Sequence, residues 1–151
     1  MASFADLVGD WAAETQDRID AVYARSVELL GDELTMTRPE GGRVPFLTGN
    51  LARSLLTSTT AMPMQGAAGA KYSGGVGSSL GVITATLTAQ EEVWLGYQAN
   101  YAHRLNYGFV GQDSAGRNIN QEGAHFVEYA ASVWPTIVAL AAEDVRRQAG
   151  G

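Results

Sequence analysis

The residues able to do covalent or acid–base chemistry are few. The chain has two histidines, His103 and His125, and no cysteine. A Ser-His-Asp set could be written down from such a sequence, but no nucleophile-elbow pattern supports one. Thiolate chemistry and disulfides are absent, and a reducing compartment is the natural reading. Two distant histidines with scattered carboxylates show no metal-ligand spacing. The run Ser73-Gly74-Gly75-Val76-Gly77-Ser78-Ser79-Leu80-Gly81 looks like a phosphate cradle. Its glycines miss the dinucleotide spacing, and a strand is expected after it where a helix is needed. Gly66–Lys71 lacks the Gly-Lys-Ser/Thr of a P-loop. The expectation is a protein that is not an enzyme and carries no cofactor or metal, with flexible glycine loops.

The elements that would position these residues can be read from spacing. Ser3 with Asp6 three residues on is a helix start. Val8, Trp11, Thr15, Ile19, Val22, Ser26 and Leu29 follow at intervals of three and four. One long helix over 3–31 is predicted, its stripe in the core and Gly31 its stop. Trp11, Trp94 and Trp134 are expected to pack inside. Thr48 is read as the cap of a short helix from Gly49 to about Leu56, and a strand follows to about residue 61. Met62–Gly81 reads as a long loop, Val82–Thr88 as the clearest strand, and Glu92–Tyr97 as its hairpin partner across Gln90-Glu91. A short helix over Ala99–Asn106 is closed by Gly108. Residues 109–123 read as a second loop. Helical sequence runs from Phe126 to Gln148, kinked or broken with Pro135 at the first helical position.

This order predicts one α+β domain spanning 1–151: a small antiparallel sheet against a long N-terminal helix and a C-terminal helix, with long Gly-rich loops. With 151 residues, 46% of them hydrophobic, the chain can bury a core. Its net charge of −6 leaves little with which to neutralise phosphates, so sequence-specific nucleic-acid binding is not expected. No targeting segment and no membrane-spanning run is visible. Tyr97, Tyr101, His103, Tyr107 and His125 are candidate interface residues, the tyrosines because an aromatic with a polar tip suits a half-wet contact.

Three blocks in order carry more. They are Val44-Pro45-Phe46-Leu47-Thr48-Gly49-Asn50-Leu51-Ala52-Arg53-Ser54-Leu55, then Tyr101-Ala102-His103-Arg104-Leu105-Asn106-Tyr107-Gly108, then Ala124-His125-Phe126-Val127-Glu128-Tyr129-Ala130. Together they resemble the tail-completion, or head–tail joining, proteins of long-tailed bacteriophages. That pattern runs Pro-Val-Asp-Thr-Gly-x-Leu-x-x-Ser, Tyr-Ala-x-x-x-Glu-Phe-Gly-Thr, then Pro-Phe-Leu-x-x-Ala. The motif residues here are Pro45, Thr48, Gly49, Leu51, Ser54, Tyr101, Ala102, Tyr107, Gly108, Phe126 and Ala130. Phe46-Leu47 stands in place of Val-Asp, Asn106 in place of Glu, and His125 in place of Pro.

The resemblance implies a structural virion protein of the neck or tail end, assembled in the bacterial cytoplasm. It would form a ring of six or twelve copies between portal, adaptor or stopper and tail terminator or tail-tube proteins. DNA would meet it only by passing through the lumen, and no membrane would be involved. The glycine-rich loops are expected to order on assembly. Two other readings are a small-molecule-binding or enzymatic domain with glycine-rich lids, and a tail-like part of a bacterial injection or gene-transfer particle.

Overall fold

The computed structural model describes residues 1–73 and 78–150. Its first element, α1, runs Phe4–Thr35. The start is as read: the Ser3 hydroxyl accepts the Asp6 amide at 3.1 Å, and the Asp6 carboxylate accepts the Ser3 amide at 2.9 Å. The end is not. The helix passes through Gly31 for another turn, because Gly31 serves as a packing notch. A Cβ there would overlap the Leu80 side chain. The glycine's missing side chain, rather than its freedom to turn left-handed, is what the fold uses.

After a 3-10 turn at Arg38–Glu40, α2 (Asn50–Arg53) leads into β1 (Leu55–Ser58). β1 pairs antiparallel with β2 (Trp94–Tyr97), Leu55 opposite Tyr97 and Ser58 opposite Trp94. The long segment between these strands holds α3, Ser78–Thr84. The expected strand Val82–Thr88 and its hairpin at Gln90-Glu91 are therefore corrected. Leu80, Thr84 and Leu87 are the buried positions of this stretch, while Val82 is exposed. Spacings of four and three are helical, and Leu80 is drawn to the Gly31 notch. The glycine-rich stretch at Gly74–Gly77 lies outside the described residues.

The 62–73 segment contains no regular element but is pinned down. Gly66 N and the Tyr72 hydroxyl both donate to the Gln98 carbonyl, at 2.8 and 2.9 Å, and Gln65 Nε2 donates to the Asn100 carbonyl at 2.8 Å. Residues 109–123, expected as a loop, form a hairpin instead. β3 (Gly108–Gln112) pairs with β4 (Asn118–Glu122), and Asp113 closes the turn by accepting the Ala115 and Arg117 amides, each at 2.9 Å. Several backbone polar groups of both stretches have partners within one chain, among them Gly66 N, the Ala70 and Tyr72 carbonyls, and the β3–β4 ladder.

The rest of the chain is helical: α4 (Ala102–Tyr107), α5 (Phe126–Ser132) and α6 (Trp134–Gln148). The break falls at Val133, and Pro135 sits in the first turn of α6, where its missing N–H costs nothing. The α+β class thus holds, with two small two-stranded antiparallel sheets rather than one. Three adjoining apolar clusters make the core. The first joins Val44, Leu51, Ala52, Ala99, Ala102 and Phe126. The second joins Val27, Leu80 and Leu87, and the third Leu34, Leu55 and Ala130. Helix α1 enters this core through Tyr23, Ala24, Val27, Leu30 and Leu34 rather than through the predicted stripe, of which only Ser26 is fully buried.

Candidate assembly surface

The Thr-Gly block is built around one glycine. Gly49 is the cap residue of α2 at φ 79°, and a Cβ there would stand 2.7 Å from the Arg53 guanidinium. Only glycine meets both constraints cheaply. Thr48, expected to be the cap, lies one residue earlier, and its hydroxyl reaches the Asn50 amide only at 3.4 Å. Arg53 folds back over the turn, donating to the Thr48 carbonyl at 3.0 Å and the Tyr72 carbonyl at 2.9 Å.

Asn50, the unnamed middle position of the block, does more than its spacing suggested. Its Nδ2 donates to the Ala70 carbonyl at 3.1 Å and to the Tyr101 hydroxyl at 3.0 Å, while its Oδ1 accepts the Tyr72 amide at 2.8 Å. One side chain therefore ties the first block to the second and to the 62–73 segment. Ser54 is fully buried, its hydroxyl on the Leu51 carbonyl at 2.7 Å.

The second and third blocks close on the first. Leu51, Ala102 and Phe126 share one cluster, and Ala130 belongs to the next. Gly108 ends α4. Asn106 is buried and joins the last two blocks: its Oδ1 accepts the Val127 amide at 3.0 Å, and its Nδ2 donates to both Glu128 oxygens at 3.0 and 2.9 Å. Nothing in the spacing marked Asn50 or Asn106. Their partners lie about twenty residues away or more, beyond any local pattern.

The candidate interface residues divide. Tyr97 turns inward, edge-on to Phe126 at 5.4 Å between ring centres, with its hydroxyl donating to the Leu34 carbonyl. Burial pushes its phenol far above the ordinary range. It is a packing residue in the single chain, which corrects its place among surface candidates. Tyr101 is half-buried at the edge of a cleft. His103, Tyr107 and His125 are exposed, with the His103 ring tilted about 50° against Tyr107 at 4.7 Å between centres and His125 Nδ1 3.8 Å from the Glu128 carboxylate. Trp94 and Trp134 are half-buried, whereas Trp11 is 66% exposed, which corrects its expected place inside.

Two surfaces stand out. One is a cleft of about 420 Å³ walled by Pro45, Phe46, Leu47, Leu51, Tyr101 and Leu105. Leu47 at its mouth is 91% exposed. The other is the free end of α1, where every residue from Met1 to Glu14 is exposed, including Phe4, Leu7, Val8 and Trp11. The stripe read as core is thus uncovered over its first half. Among the described residues no group of three or more His, Asp or Glu could hold a metal, and no helix is long and apolar enough to cross a membrane. No family model, curated protein or solved structure matches this chain.

Proposed function

We propose that this protein is a structural subunit of a bacteriophage neck or tail end, which assembles with copies of itself into a ring joining the capsid connector to the tail and leaving a passage for DNA. The observation that carries this reading is the meeting of the three sequence blocks. Leu51, Ala102 and Phe126, far apart in the chain, pack into one cluster, and Asn50 and Asn106 hydrogen-bond one block to the next. The residues on which the resemblance rests therefore act as one structural unit, and no reactive constellation sits among them. A rigid wedge of this kind repeats around an axis through head-to-tail contacts, which close when the rotation per copy divides a full turn.

The uncovered apolar end of α1 supports the same reading. Complete burial of a large apolar side chain is worth about 1.5–3 kcal/mol. Phe4, Leu7, Val8 and Trp11 leave most of that unrealised in a single chain. A contiguous apolar face of this sort marks a contact with another protein.

Electron microscopy of purified particles, or of the concentrated protein, is expected to show a closed ring at the neck or tail end containing this chain. A protein that stays monomeric, is missing from particles and melts higher with a small-molecule ligand would overturn the proposal. Flanking portal, capsid and tail-tube genes would separate a virion from an injection particle.

A further inference from the structure

We infer that the free end of α1 from one copy docks in the Pro45–Leu51/Tyr101 cleft of the next. This rests on the proposed ring and names the two surfaces that would form its contact. At 100° per residue, Phe4, Leu7, Val8 and Trp11 fall within one narrow arc of the helix. The same arc continues through Thr15, Ile19 and Val22, which line a groove together with Trp134 and Val138 of α6. Before that groove, about 16 Å of helix (Met1–Glu14, less its cap) is exposed along its whole length, apolar side included.

Charge selects the occupant. Asp6, Asp10, Glu14 and Asp17 line the flank of this projecting end, with Arg18 as its nearest cation. Two α1 ends laid together would set these carboxylates against each other, which disfavours a helix-to-helix pairing of like ends. The segment 36–73 has the opposite balance: Arg38, Arg43, Arg53 and Lys71 against Glu40 alone. Among the described residues none of these four cations has a carboxylate within ion-pair distance.

Arg53 and Lys71 border a hollow that shares Thr48, Asn50 and Tyr101 with the apolar cleft. The hollow on the other side of Arg53 carries Asp32 and Glu40 and suits an acidic helix less. An apolar ridge with an acidic flank thus faces an apolar cleft with a basic flank. The two surfaces are on different parts of the chain, so the contact is head-to-tail, as a ring requires.

The absence of cysteine makes the contact directly testable. Trp11→Cys and Leu47→Cys change exposed side chains, so both variants are expected to fold, as circular dichroism and melting will show. Under mild oxidation at a concentration where the protein self-associates, their mixture is expected to give disulfide-linked dimers several-fold in excess of either variant alone. Phe4→Cys with Phe46→Cys serves as the second pair. High salt should lower the yield, since it screens the flanking charges. Oligomers that form without either mixed disulfide, or a disulfide from Trp11→Cys alone, would overturn this docking while leaving the ring in place. A chain that never self-associates, in solution or in particles, would overturn both.

Discussion

Asn106 stands where the resembled pattern has a glutamate, and the structure gives it a specific task. The residue before α5, His125, lies in the left-handed region at φ 50° and makes no side-chain cap. The Val127 amide at the head of that helix would be left without a partner, and Asn106 Oδ1 takes it from another element. Its amide group meets Glu128 as well. Asn106→Ala is therefore expected to cost about 1–2 kcal/mol, read as a lower urea midpoint, because the Val127 amide loses its acceptor in the part-buried head of α5. The left-handed backbone at His125 also explains the missing proline of the pattern, since a proline ring holds φ near −65°. Glu128 carries a pH signal. Desolvation raises its carboxyl, but backbone hydrogen bonding, the Asn106 amide, the Tyr107 hydroxyl and the nearby His125 hold it below its ordinary value of 4.5. A lowered carboxyl stabilises the fold above the unfolded-state value, and that contribution disappears as pH falls through the folded-state value. Stability should thus drop on acidification below 4.5, and the drop should be smaller in Glu128→Gln when the two are compared by denaturation across that range.

At the level of elements, the useful contrast is between α1 and α3. The start of α1 was legible because a capping box is local: Ser3 and Asp6 satisfy each other within one turn. Its end was not, because Gly31 is explained by Leu80, a residue brought against it only by the fold. The same contact decides α3. Val82–Thr88 has the β-branched composition of a strand, yet Leu80 and Thr84 bury on α1, where the Thr84 hydroxyl also donates to Glu28 at 3.0 Å. Gly31→Val would fill the notch and push Leu80 out. A loss of about 2 kcal/mol is expected, measured as a lower denaturation midpoint with α1 helicity kept. The β3–β4 hairpin was illegible for a different reason. Its strands, Gly-Phe-Val-Gly-Gln and Asn-Ile-Asn-Gln-Glu, show no apolar–polar alternation, and its closure rests on Asp113 accepting backbone amides across the turn.

Across the whole molecule, charge and apolar surface are divided along the chain. The N-terminal helix is strongly acidic and half uncovered, and the segment after it is basic and borders an apolar cleft. A chain with net charge −6 keeps single molecules apart, while this internal division lets unlike regions of neighbouring copies attract. Local signals were enough for the α+β class, the long first helix, the strand at Trp94–Tyr97, the helix break near Pro135 and the three motif blocks, since capping, periodicity and proline geometry act within a few residues. Tertiary structure alone decided that Leu51, Ala102 and Phe126 meet, that Asn50 and Asn106 join the blocks, that β1 pairs with β2, and that Phe4 to Trp11 stay bare. Each of those outcomes depends on which distant surfaces come together, and no interval along the chain encodes that.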